Sequence, residues 1–272
     1  MVDETDIVGL GAWFDSAPGV YVREWEQAQF DGVVADIFGF NALQLGLPAL
    51  ELLRANRMPF KVYAGVDAAD AQAGPWQAQV VATPEELPFE TQSIDLLVLP
   101  HAFECTSQPH RVLREVERVL VPDGRLVVSG FNPWSLWGLR ARLPGMEPWL
   151  PHPPSAQVSL PRLKDWLQLL SFEVDRGRYG CYAPACQTER WLRRWRFMER
   201  AGDKWWPVCG AVYVVSAVKR VRGMRIIGPP WKKEKRRARR AAPVVVPQGP
   251  GGAHRAAPEG GAGQQHGQAG KR

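Results

Sequence analysis

Residues 87–133 read LPFETQSIDLLVLPHAFECTSQPHRVLREVERVLVPDGRLVVSGFNP, and this stretch decides the fold. Its segment Ile94–Pro100 is nearly all apolar, the composition of a strand covered on both sheet faces. Val112, Leu113, Val116, Val119 and Leu120 then recur at the 3.6-residue period of a packed helix. Pro109 suits the first turn of that helix, where a missing N–H costs little, and Thr106 or Ser107 is placed to cap it. Pro122-Asp123-Gly124 turns the chain, and residues 125–130 read as a second buried strand. Strand, helix and returning strand make a parallel crossover unit. In open sheets of such units, ligands bind beyond the carboxyl ends of the strands. Those ends carry His101, Phe103 and Glu104 after the first strand and Asn132 after the second.

The same residues carry a family resemblance. LPF, then IDLLVLPHAFE, then LREVERVLVPDGRLVVSGFNP resembles the second half of the class I S-adenosylmethionine-dependent methyltransferase domain. The likeness is to its type 11, small-molecule branch, with the pattern LPF…FD…H.LEH…P…LRE..RVL.PGG.L. Cys105 stands where that branch usually has His, and Asp123 where it often has Gly. The resemblance implies an α/β, Rossmann-like sheet of seven strands, mostly parallel with an antiparallel edge strand. It also implies S-adenosylmethionine as cofactor.

Toward the amino end, Tyr21, Trp25, Phe30, Val33, Val34 and Ile37 suit a helix within residues 12–40 that packs on the sheet, with Tyr21 or Trp25 within possible reach of a ligand. Residues 42–47 (ALQLGL) read as a strand, and Pro48 opens a helix expected to run to Asn56. This strand and turn stand at the family's first motif, normally LDLGCGTG. Gly46 holds the position nearest the ligand, Gln44 the usual acidic position, and Leu47-Pro48 replace the rest of the loop. Residues 60–67 (FKVYAGVD) form the next expected strand. Asp67, 21 positions after Gly46, stands at the spacing where the family places the carboxylate that holds the ribose hydroxyls. A carboxylate there accepts two charge-assisted hydrogen bonds from a cis-diol. Residues 78–82 give a third strand, and Thr83 occupies a position where the family often has an Asp facing the adenine amine. The expected cofactor-binding set is therefore Gln44, Gly46, Asp67, Thr83 and His101. His101 and Glu104 are the candidates for a general base, needed only if the acceptor is protonated.

Beyond the central unit, FNPWSLWGLRARL reads as a helix carrying Trp134, Leu136, Trp137 and Leu139. Ser159 and Pro161 start another, a strand FEVDRGRY follows it, and residues 211–219 (AVYVVSAVK) complete the sheet as the antiparallel edge strand. Between these strands, Trp191, Leu192, Trp195 and Met198 fall on one helical face, with Arg190, Arg193, Arg194 and Arg200 around it. Such a helix packs its aromatics inward, or lids the acceptor site, or offers a basic aromatic surface.

Composition sets the outer bounds. The chain has 272 residues, 45% of them hydrophobic, enough for one α/β domain with extensions. Its net charge of +6 is unevenly spread: residues 232–272 hold ten Lys/Arg against two Glu, which leaves 24 basic and 26 acidic groups in the rest. The expected organisation is a flexible start at 1–11, a methyltransferase domain at 12–222 and a disordered basic tail at 223–272. No apolar run approaches the roughly 20 residues that span a bilayer, and the acidic start does not read as a signal peptide. Four cysteines without zinc spacing predict neither a disulfide scaffold nor a metal site, and point to a cytoplasmic location. Methyl transfer to a small-molecule acceptor is the leading expectation. A non-catalytic protein of the same fold is a second reading. A nucleic-acid-associated protein using the Arg/Trp-rich helix and the basic tail is a third.

Overall fold

The computed structural model describes residues 10–66, 76–143, 149–186 and 188–221. Seven strands make one sheet in the order β3-β2-β1-β4-β5-β7-β6. They are β1 (Asn41–Leu45), β2 (Phe60–Gly65), β3 (Ala78–Val81), β4 (Ile94–Pro100), β5 (Leu120–Phe131), β6 (Phe172–Gly180) and β7 (Val212–Lys219). The first five run parallel to one another, and β7 is antiparallel to both β5 and β6. The antiparallel strand thus lies one place inside the edge that β6 forms. All eight of its residues are buried, which an apolar run flanked on both sides requires.

Alternation along β4 divides the core. Leu96 and Val98 join the cluster on one face of the sheet, while Leu97 and Leu99 join the cluster on the other. The first face is covered by α1 (Ala17–Val34), whose Ser16 N-cap accepts from the Gly19 N–H at 3.3 Å. The second is covered by α2 (Pro109–Val119) and by α4 (Leu160–Leu169). Pro109 does open α2, but its N-cap is Gln108, with no side-chain bond. Thr106 instead accepts from the Gln108 N–H at 3.0 Å and donates its hydroxyl to Glu85. At the other end of α2, the Lys219 ammonium donates to the Glu117 carbonyl and, at 2.8 Å, to that of Leu120, a favourable place for a cation.

Two expected helices are reshaped. Residues 48–56 form turns rather than a helix, because hydrogen bonds from Gln44 hold that loop (below). The Arg/Trp-rich segment is two short helices, α5 (Glu189–Arg194) and α6 (Phe197–Trp205), broken at Trp195. Of its expected apolar face only Leu192 is fully buried, while Trp191 is exposed. In the earlier short helix α3 (Leu136–Ala141), only Trp137 turns inward; Trp134, Leu136 and Leu139 face solvent. Gly180 ends β6 beneath the Trp25 indole, where an added Cβ would fall within 2.0 Å of the ring. Trp25 is therefore a packing residue. The flexible start and the basic tail expected from the sequence lie outside the described residues.

Candidate functional site

At the carboxyl ends of β1, β2 and β4 the described residues leave a narrow cavity of about 30 Å³. Leu45, Gly46 and Leu47 line it from β1 and its turn, Tyr63, Gly65 and Val66 from β2, and Pro100, Ala102 and Cys105 from β4 and its turn. Ala82, Pro84 and Leu10 close it. No charged side chain appears among these described lining residues.

Gly46 and Leu47 both have positive φ, 77° and 51°. A Cβ on Gly46 would meet no atom within 4 Å, so the glycine backbone lies open on the cavity wall. The strained turn is held from behind by Gln44, which is fully buried. Its amide nitrogen donates to the carbonyls of Gly46 (3.3 Å), Leu47 (3.1 Å) and Leu50 (2.6 Å), and its oxygen accepts the Leu52 N–H at 3.1 Å. Gln44 therefore shapes the loop instead of reaching a ligand. Asp67 lies outside the described residues; Val66, just before it, is on the cavity wall. Thr83 is exposed and bridges to Glu86 through its backbone, while its neighbours Ala82 and Pro84 do the lining.

His101 and Glu104 sit elsewhere than expected. The imidazole is wholly buried, with Nδ1 2.8 Å from Glu104 Oε2 and Nε2 2.9 Å from Glu26 Oε1. Glu104 Oε1 accepts the Phe131 N–H at the end of β5. Rings of Phe14 and Phe131 pack on the imidazole at 5.5 and 4.4 Å. Burial alone disfavours the charged ring, but the Glu26 and Glu104 carboxylates outweigh it and raise the His101 pKa to about 10. A charged, sealed imidazole with both nitrogens engaged cannot accept a proton from an acceptor. The proposed base and cofactor roles of His101, and the base role of Glu104, are thus corrected to one of fastening α1 to the ends of β4 and β5.

Glu26 escaped the sequence reading. The signal was present: Val22, Glu26, Phe30 and Val34 recur every four residues on one buried stripe, and only one of them is charged. A carboxylate in mid-stripe calls for a buried partner. A second carboxylate does similar work nearby. Glu199 accepts the Tyr21 hydroxyl and the N–H groups of Cys181 (3.3 Å) and Tyr182 (3.1 Å). Tyr21 is thereby committed to the frame and is not part of the cavity wall.

The strand order, the single antiparallel strand and the cavity at the parallel strand ends define a class I methyltransferase domain. A family model described as "Methyltransferase domain", of type 11, matches residues 47–128. The Escherichia coli (strain K12) protein named "Uncharacterized protein YafS" is 38% identical over 168 residues, spanning 62% of this chain and 67% of that one. A chain of a Haloferax volcanii complex containing the Trm112 methyltransferase activator shares the fold with a TM-score of 0.55 at 14% identity, over 78% of this chain and 96% of that one. A SAM-dependent methyltransferase from Archaeoglobus fulgidus does so with a TM-score of 0.51 at 16% identity, over 72% and 94%. The chain belongs to the class I S-adenosylmethionine-dependent methyltransferase family, with S-adenosylmethionine as its cofactor.

In chemistry, the described walls suit that cofactor. They give apolar surface for an adenine ring, an open glycine backbone and no cation to repel a sulfonium. No helix is long and apolar enough to cross a membrane, and no metal-binding cluster occurs among the described residues.

Proposed function

We propose that the chain transfers a methyl group from S-adenosylmethionine to a small-molecule acceptor, with the cofactor between Gly46 and Asp67. The observation that carries this reading is the Gly46–Leu47 turn, two positive-φ residues in sequence facing a cavity at the ends of β1, β2 and β4. When bound, the cofactor supplies an electrophilic methyl group on a sulfonium. The chain's own residues bind and orient. Asp67 accepts from the ribose hydroxyls, and Gly46 lets the backbone approach. Alignment of acceptor and methyl can supply about 7–11 kcal/mol of the barrier without a protein nucleophile. With His101 enclosed, the acceptor is one whose attacking atom needs no proton removed by that ring. The reading also places the enzyme in the cytoplasm, supported by a count of four cysteines in 272 residues, too few for a disulfide scaffold.

Calorimetry with S-adenosylmethionine tests it. Asp67→Ala removes both ribose bonds and should weaken binding by about 2–4 kcal/mol. Gly46→Val should abolish binding while thermal melting changes much less. Wild-type chain without measurable affinity at millimolar cofactor would favour the non-catalytic reading. The acceptor is then sought as a one-methyl mass difference between metabolites of cells with and without the protein.

A further inference from the structure

We infer that a second surface of the chain, apart from the cavity, docks on an anionic lipid bilayer. Asn132, just past β5, joins two segments: its side-chain nitrogen donates to the carbonyls of Val208 (2.8 Å) and Gly210 (2.9 Å), and its oxygen accepts the Trp134 N–H at 3.1 Å. This ties the segment of Trp134, 70% exposed, to the one that carries Trp206 and Val208, 57% and 60% exposed. Leu136 and Leu139, one turn apart on α3, continue the apolar face on one side, and Trp205 extends it from α6. Trp137, between the two leucines, points the opposite way, with its indole N–H donated to the Ala183 carbonyl at 2.8 Å. The outward set is therefore the face left over once the core is packed.

Charge selects the occupant. Residues 132–143 and 204–210 contain Arg142 and Lys204, with Arg140 turned inward over the Trp149 ring, and not one Asp or Glu. Two of these cations lie over the exposed indoles themselves, Arg142 at 5.6 Å from the Trp134 ring and Lys204 at 5.9 Å from Trp205. Exposed indoles and leucines in a cationic rim match the headgroup boundary of an anionic bilayer, where amphipathic rings settle and basic side chains meet lipid phosphates. A neutral apolar partner would leave the cations unpaired, and a nucleic acid would leave the two leucines uncovered. The face sits on the carboxyl side of β5, the end of the sheet that also holds the cavity.

The test uses the full-length chain without cofactor, so it does not depend on methyl transfer. Flotation with phosphatidylcholine vesicles containing phosphatidylglycerol, and with phosphatidylcholine alone, should show binding only to the anionic set. Trp134→Ser with Trp206→Ser should lower anionic-vesicle affinity about tenfold or more. Leu136→Ser with Leu139→Ser, on the other arm of the face, should weaken it in the same direction, and all four side chains are exposed enough to leave the melting temperature in place. Arg142→Gln with Lys204→Gln should lower affinity and flatten its salt dependence. Failure of the wild type to bind anionic vesicles would overturn the inference. So would equal binding by wild type and both face variants, which would assign the contact to the basic tail. Concentration-dependent self-association, or binding of single-stranded RNA, that is lost in the face variants while vesicle binding is kept would give the surface to another occupant.

Discussion

Glu26 and His101, 75 positions apart, meet at 2.9 Å with neither side chain touched by solvent. Through this contact and that of Glu104, one buried cation fastens α1 to the ends of two central strands. Removing a partner from such a group is costly, because a buried charge is left uncompensated. Glu26→Ala should lower stability by about 3–5 kcal/mol, read from the midpoint of urea denaturation.

The same contact has a signed pH dependence. The folded-state pKa of His101 is about 10, against about 6.5 for an unfolded His. Between these values the folded chain binds the proton more tightly than the unfolded one, so stability falls as pH rises. The contribution is fully present below about pH 6.5 and gone above about 10. Urea midpoints across this range should slope downward for the wild type and less steeply for Glu26→Gln.

Gln44 offers a test of the loop. Gln44→Glu would set a carboxylate oxygen against the Leu50 carbonyl, now 2.6 Å from the amide nitrogen. It should destabilise by about 2–4 kcal/mol. Because only the protonated carboxyl can donate, part of the loss should return as pH falls, and Gln44→Ala should show no such recovery. Denaturation at neutral and mildly acidic pH separates the two.

Leu97 is wholly buried in β4, whereas Arg111 on α2 is half exposed and pairs with the still more exposed Glu86. Leu97→Ala should cost about 2–5 kcal/mol. Arg111→Ala should stay within about 0.5 kcal/mol, since exposed ion pairs contribute little. Comparable losses at both sites would contradict the assignment of the two faces.

Cys181 is buried, and burial first, then the Glu199 and Glu26 carboxylates, raise its thiol pKa well above the usual range. Cys186 and Cys209 are partly exposed, and Cys105 is buried. Iodoacetamide should label Cys186 and Cys209 in the folded chain and reach Cys181 only after unfolding, as peptide mass spectrometry would report.

What could be read in advance was whatever periodicity alone decides. Ile94–Pro100 and the stripe through Val112, Leu113 and Val116 are patterns of neighbours in sequence, and both elements form with those bounds or nearly so. Gly46 was legible for a related reason, since an open glycine after a strand has a local meaning. His101 was misread because its surroundings are made by Glu26 and Phe14, residues far off in the chain. The turns at 48–56 were missed likewise: Pro48 and the leucines suit a helix, and only the buried Gln44 amide decides against one.

The position of β7 also bears on how the chain is made. Residues 125–131 of β5 pair with 212–218 of β7, so the open side of β5 waits for a strand that follows it by more than eighty residues of synthesis. A nascent or prematurely released chain ending before Val212 carries Leu126, Val127 and Val128 on an unpaired strand edge. Such an edge is a template for other chains. Chaperone demand and the inclusion-body losses of truncated products should therefore rise abruptly at that length, rather than in proportion to the residues removed.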